Sequence, residues 1–284
     1  MVRPAVRPTP ERIERLKRRM IRRVATFFDI DGTISKEQLL IVFMLTGGYL
    51  SPSRNRILRP LYKAIETYTT KRTYDYRPVI DAAVRVAPRF FRGLRTDDAA
   101  AIARSVVARF GPMTYIFPRT LLETLRKMPL AERGLIVGIT GAPDVVAEAY
   151  GEAHGFDLVY SAIYAHEKGR YTGEVDKRSI HRKGDIIDEL AETFRLDLKE
   201  SIALGDSETD IPMLKRVGYP FAVNPQDTLL KWSRLEGDAV WANDRQKNGV
   251  TFFRKDGIGS FEEVDANKIF PDHIPTLNLQ GPRR

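Results

Sequence analysis

The sequence predicts an α/β protein: a parallel sheet with helices on both faces, plus an inserted all-helical unit. Three observations carry that expectation. Beyond residue 119, buried-strand patterns alternate with helical ones, as in Leu135–Thr140 followed by an amphipathic stretch over 143–154, and such alternation builds parallel sheets. A first strand, the apolar run Val24–Phe28, lies far upstream and drives straight into Asp29 and Asp31. Between the two, residues 37–118 carry helical patterning and no convincing strand.

Taken in order, residues 1–10 hold Pro4, Pro8 and Pro10 and read as tail. Thr9-Pro10-Glu11 has the form of an N-cap with proline at the first helical position. The spacing of Ile13, Leu16 and Met20 predicts a helix from Glu11 to about Arg22, with arginines on its other faces. After the first strand, an apolar helix is expected over 37–46, ended by Gly47-Gly48, then helices over 53–69, 77–87 and 97–109. Pro118 opens a helix to about Met128. Strand Leu135–Thr140 and helix 143–154 follow, then a strand-rich segment 157–175, helix 179–194 and strand 201–204. A turn over 205–209, helix 210–217, strand 220–223 and a helix near 227–236 complete the alternation. Beyond Trp241 the pattern weakens to a short β addition around Phe252-Phe253 and 258–264, and the last dozen residues read as tail. The expected organisation is a basic N-terminal helix and tail (1–23), a core from 24–36 and 119–245, a helical insert (37–118) and a C-terminal extension (246–284).

Composition narrows the class. At 43% hydrophobic residues over 284 positions the chain can bury a core. With no cysteine it has no disulfide, thiol catalysis or cysteine-based zinc site. The longest apolar run, about Leu39–Leu45, is far short of a membrane span, and no signal-peptide core is visible; a cytoplasmic protein is expected. The net charge of +9 is unevenly spread: residues 1–23 carry +7 and 36–118 carry +8, while 119–284 carry −4. A basic insert beside acidic segments suits an anionic substrate, and the basic N-terminus suits contact with an anionic membrane or nucleic acid.

Four places with chemistry fall at strand ends or helix starts: Asp29, Asp31 and Thr33; Thr140 before Gly141; Lys183; and Gly205-Asp206-Ser207-Glu208-Thr209-Asp210. A parallel sheet brings strand ends to one edge, where such carboxylates, a hydroxyl and an ammonium can hold Mg²⁺ and a phosphoryl group together. Each has a plainer reading alone. Asp29 and Asp31 could mark an acidic turn, Thr140 could end a strand, Lys183 could be a solvated lysine with Lys177 and Arg182 as rivals, and Asp210 could favour a helix N-terminus. The four histidines lack zinc-ligand spacing, no serine has a histidine partner at suggestive spacing, and there is no Gly-x-x-x-x-Gly-Lys loop.

Together the four motifs resemble the haloacid dehalogenase superfamily of phosphatases. Asp-x-Asp-Gly-Thr stands at 29–33, the strand-end threonine at 140, the lysine at 183 with Gly184 and Ile186-Ile187 after it, and Gly-Asp-Ser-x-x-Asp at 205–210. The likeness runs from about 24 to 236. The insert after the first motif, Tyr171-Thr172-Gly173 and the stretch Val217–Pro225 are similar to the subfamily (IB) of phosphoserine phosphatase. The resemblance implies a Rossmann-like core with a C1-type helical cap, and an Mg²⁺-dependent phosphatase acting through an aspartyl-phosphate. It implies Asp29 as nucleophile, Asp31 as general acid and base, Thr140 and Lys183 on the phosphoryl oxygens, and Mg²⁺ held by Asp29, Asp206 and the Asp31 carbonyl, with Asp210 supporting the metal or Lys183. Thr33 would fix the loop, and Gly141, Glu37 and Gln38 would lie at the phosphate or substrate. Phosphoserine phosphatases are expected to carry glutamate where Gln38 stands, with Glu37 one position earlier. The expected substrate is a small phosphorylated metabolite. Phosphotransfer to another acceptor, or a basic nucleic-acid or lipid-binding protein with a vestigial core, are the alternatives.

Overall fold

The structure, a computed structural model, describes residues 8–71, 76–176, 181–245, 249–256 and 260–279. Helix α1 (Pro10–Arg19) starts where Thr9 accepts the Arg12 N–H at 3.3 Å. Its narrow apolar stripe, Leu16 and Met20, is buried against Phe27, Leu135 and Val137. Strand β1 (Ala25–Phe28) is buried along its whole length. Phe27 joins the hydrophobic cluster on one side of the sheet and Phe28 the cluster on the other, as strand alternation requires. Five helices then intervene: α2 (Leu39–Leu50), α3 (Pro52–Ile57), α4 (Arg59–Lys71), α5 (Arg77–Phe91) and α6 (Thr96–Phe110).

The chain returns through α7 (Ile116–Lys127) and α8 (Leu130–Arg133) to β2 (Leu135–Pro143), α9 (Asp144–His154), β3 (Leu158–Glu167) and β4 (Arg170–Asp176). After α10 (Lys183–Phe194) come β5 (Ile202–Gly205), a 3₁₀ turn (Glu208–Asp210), α11 (Ile211–Leu214), β6 (Tyr219–Val223), α12 (Asp227–Leu235), β7 (Val240–Asn243), β8 (Thr251–Lys255) and β9 (Phe261–Val264). They form a sheet of order β4-β3-β2-β1-β5-β6-β7-β8-β9. The run β3 to β7 is parallel, and β4, β8 and β9 are antiparallel additions at the two edges. From β1 the chain winds outward through β2 and β3, then crosses to β5 and winds the other way. The crevice at the carboxyl ends of β1 and β5 is therefore a topological switch point.

Several expectations need correction. Gly47-Gly48 does not end α2, which continues to Leu50. These glycines are there for close packing: an added Cβ would lie 2.8 Å from Phe90 Cζ at Gly47 and 2.6 Å from Leu58 Cδ1 at Gly48. The helix expected over 53–69 breaks at Leu58 into α3 and α4. The one expected over 210–217 is a 3₁₀ turn and a four-residue helix. The last dozen residues are docked as far as they are described, with Ile274 buried and Leu277 and Leu279 packed on the core. Residues 1–7 of the expected basic tail, the start of the helix expected at 179 and the rival Lys177 lie outside the described residues.

Two features seat the insert on the sheet. Where the chain enters and leaves, Ser35 bridges Thr114, and the Tyr115 N–H donates to the Ile34 carbonyl at 3.0 Å. At the far side, the loop after α5 pairs with the β3–β4 hairpin through Gly93 N–H to Tyr171 O (2.8 Å), Tyr171 N–H to Leu94 O (2.9 Å) and Thr96 N–H to Gly169 O (2.9 Å). Phe91 fills that junction, its ring 4.1 Å from Tyr164 and stacked 5.2 Å from Phe43.

Candidate active site

The residues expected to carry chemistry meet at the switch point. The Asp29 N–H continues the β1 ladder by donating to Leu204 O at 2.9 Å, which aims the carboxylate into the crevice. Asp29 Oδ1 receives the Lys183 ammonium at 2.6 Å and Oδ2 the Thr33 hydroxyl at 2.8 Å. Gly32 has φ +86°, and a Cβ there would lie 2.6 Å from Asp206 Oδ2. Only glycine lets the loop turn this tightly beside a carboxylate. Lys183 opens α10, is 3% exposed, and divides its ammonium between Asp29 and Asp210, each at 2.6 Å.

Asp210 is fully buried. Its second oxygen accepts the backbone N–H of Asp206 (3.1 Å) and Ser207 (2.9 Å) and the Ser207 hydroxyl (2.9 Å). That set of donors shapes the loop after β5 and turns the Asp206 carboxylate inward. Asp206 Oδ2 receives the Gln226 amide at 3.1 Å and Oδ1 faces the Thr33 hydroxyl at 3.4 Å. Asp29, Asp206 and Asp210 bring carboxylate oxygens within 4.8 Å of one another, a group able to hold a metal ion.

Asp31 stands apart from that trio. Its Oδ1 accepts the Leu39 N–H at the start of α2 (2.6 Å), and its Oδ2 accepts the Thr140 hydroxyl (2.7 Å). Thr140 in turn accepts the Ala142 N–H at 3.0 Å, folding the chain around Gly141. Thr140 thus sits at the site rather than merely ending a strand.

Electrostatics follow from burial. Desolvation pushes the Asp29 carboxyl well above the usual carboxylate range against the pull of Lys183, and Asp210 and Asp206 add to the push. Desolvation and then Asp210 push Asp206 up to about 7. Asp31 is raised by burial, against its bonds to Thr140 and Leu39. Burial alone would lower Lys183; Asp210 and Asp29 hold its ammonium above the ordinary lysine value. Three carboxylates around one ammonium leave an excess of negative charge that a divalent cation would neutralise.

Ser35 engages the Glu37 backbone, and Gln38 precedes α2 without a side-chain cap bond. No hydrogen bond among the described residues joins either side chain to Asp29, Asp31, Thr140 or Lys183. Sequence reasoning also missed Gln226, whose contact with Asp206 spans twenty positions of chain, and the tie between Asp31 and α2. A backbone N–H carries no sequence signal, and a lone glutamine beyond β6 has no distinctive spacing.

The family model for haloacid dehalogenase-like hydrolases matches residues 26–215. The chain belongs to that family. Within it, the hydrolase is 28% identical to an inhibition of morphological differentiation protein of Streptomyces azureus over 76% of each chain. It is 33% identical to a probable phosphatase of Mycobacterium tuberculosis, over 78% of this chain and 76% of the relative. A substrate-bound phosphoserine phosphatase shares the fold, with a TM-score of 0.51 at 17% identity over 74% of this hydrolase and 90% of that chain.

Proposed function

We propose that the protein is an Mg²⁺-dependent phosphomonoesterase that acts on a small phosphorylated metabolite through an aspartyl-phosphate. The observation that carries this reading is the division of labour between two neighbouring carboxylates. Asp29 is locked between Lys183 and Thr33 and faces two further carboxylates, whereas Asp31 is tied to Thr140 and α2.

In this reading an Asp29 oxygen attacks phosphorus while the bond to the leaving oxygen breaks. Asp31, whose proton affinity burial has raised, gives its proton to that oxygen and then takes one from the water that cleaves the acyl-phosphate. Lys183 and the Thr140 hydroxyl bind phosphoryl oxygens, with Thr140 exchanging its bond to Asp31 for one to the substrate. Mg²⁺ suits an all-oxygen donor set, and Asp29 and Asp206 would hold it beside the Asp31 carbonyl. Asp210 acts through Lys183 and the loop, since its second oxygen already has three donors. Mg²⁺ supplies charge neutralisation at the phosphoryl group. Gly141 would line the phosphate. Helices α2–α6, within 37–118, are read as a cap over the core of 24–36 and 119–245, with Glu37 and Gln38 at its entrance.

Two hydrogen-bonded sets at one edge of the sheet, Asp29 with Lys183, Asp210 and Thr33, and Asp31 with Thr140, favour turnover over a vestigial core. The purified protein should hydrolyse para-nitrophenyl phosphate with Mg²⁺, lose activity with a chelator, and lose at least about a thousandfold in kcat as Asp29→Asn. Activity that survives that substitution would end the proposal.

A further inference from the structure

The hydrolase reading leaves one corner of the helical insert unused. It is built from the C-terminal end of α2, from α3 and from the first turns of α4. Tyr49 and Leu50 are 88% and 65% exposed there, and Tyr62 is 40% exposed. The end of α2 and the start of α4 meet at Asn55: the Tyr62 hydroxyl donates to Asn55 Oδ1, and a Cβ at Gly48, next in sequence to Tyr49 and Leu50, would lie 3.5 Å from that same oxygen.

The charge around the patch is predominantly positive, with Glu66 one helical turn beyond Tyr62 and Asp98 near Arg54 as the acids beside it. From Gln38 to Ile65 the chain has Arg54, Arg56, Arg59 and Lys63 and no acid. Arg54 turns inward onto the Phe90 ring and carbonyl, while Arg56, Arg59 and Lys63 are exposed. Large apolar side chains exposed on a segment this rich in cations are unusual on a surface that meets only water.

The chemistry selects the partner. A second copy seated on this face would bring two like-charged sets together about a twofold axis. A nucleic acid would engage the arginines and leave Leu50 without an apolar neighbour. An anionic bilayer suits every group: leucine enters the acyl boundary, tyrosines sit at headgroup level, and arginine and lysine meet lipid phosphates. No helix among the described residues is long and apolar enough to cross a membrane, so such a contact would be peripheral. We propose that the α2–α3–α4 corner docks the protein on an anionic phospholipid surface. The proposal goes beyond the phosphatase reading and does not depend on turnover.

A second exposed basic cluster, Arg15, Arg18, Arg19, Arg22 and Arg23 around Ile21, lies before β1, at the opposite end of that strand. It is the internal competitor. Vesicle co-sedimentation of the full chain at about 0.1 M salt separates the two. Vesicles of phosphatidylcholine with about 30% phosphatidylglycerol should bind the protein, and phosphatidylcholine alone should not. Tyr49→Ser/Leu50→Ser should lower the partition coefficient about tenfold, and Arg56→Glu/Arg59→Glu by about tenfold or more. Arg18→Glu/Arg19→Glu should change it by less than about twofold. Circular dichroism and Tm confirm that each variant is folded. Unchanged binding by the Tyr49/Leu50 variant, or a loss confined to the Arg18/Arg19 variant, overturns the proposal. So does a dimer in sedimentation velocity that Leu50→Ser dissociates, which would assign the face to a second copy. Tighter binding to a single-stranded oligonucleotide than to the vesicles would assign it to nucleic acid.

Discussion

Lys183 is the residue on which the buried charge depends. It is the hydrogen-bonded cation shared by Asp29 and Asp210, all three almost wholly out of water. Removing one partner from a buried ionic group leaves the others uncompensated, at a cost of about 3–5 kcal/mol. Lys183→Met should therefore lower the urea-unfolding free energy of the metal-free protein by that amount while abolishing turnover. Adding Asp29→Asn should return part of the loss, because it removes one orphaned carboxylate; the two changes are then non-additive. A single variant as stable as the parent would show that the ammonium is not required to hold the pair. Asp210 illustrates what residue spacing can and cannot convey. Its place five residues after Gly205 was readable as part of a loop motif, but its role as the anchor of Lys183 depends on a contact 27 positions away.

Helix α2 is the element that links chemistry to the insert. Its first N–H is bound by Asp31, and its last two residues form the exposed corner; twelve residues of helix span about 18 Å. It is apolar on every side because it lies among α5, α6, α9 and β2, which is why a strongly hydrophobic stretch here is neither a membrane span nor an aggregation hazard. Its glycines show where local rules mislead: Gly47-Gly48 looks like a stop signal, yet both are needed for contact with Phe90 and Leu58. The β3–β4 hairpin is the second link. Phe91 is fully buried where α5 meets it. Phe91→Ala should cost about 3–5 kcal/mol, and amide exchange at Gly93, Thr96 and Tyr171 should accelerate relative to β1 and β5. Equal acceleration across the sheet would show that this junction does not open as a unit.

At the scale of the whole molecule, the connection between insert and core makes stability sensitive to acid. His154 ends α9, stacks 4.1 Å from Tyr150, and bonds to the Gly111 backbone where the chain leaves the insert. Burial, and then Arg126, push its pKa down to about 4. The folded state thus binds fewer protons than the unfolded state between about 4 and 6.5, so stability from this group is full above 6.5 and is lost as pH falls toward 4. Its contribution to that loss is on the order of 3 kcal/mol. Urea unfolding across this pH range should show it, and His154→Asn should flatten the slope; an unchanged slope would assign the effect to other groups. By itself the sequence determined the alternating α/β core, the helical insert after the first strand, and the motifs at Asp29–Thr33, Thr140, Lys183 and Gly205–Asp210. These are encoded in periodicity and in short spacings, which act within one element or turn. Only the tertiary structure decided the antiparallel edges, the docking of the C-terminal residues, the contacts of Gln226 with Asp206 and of the Leu39 N–H with Asp31, and the exposure of Tyr49 and Leu50. Each depends on which surfaces meet after packing. The pairing of Lys183 with Asp29 joins residues 154 positions apart, and burial at that meeting point, not the residue types alone, gives the site its charges.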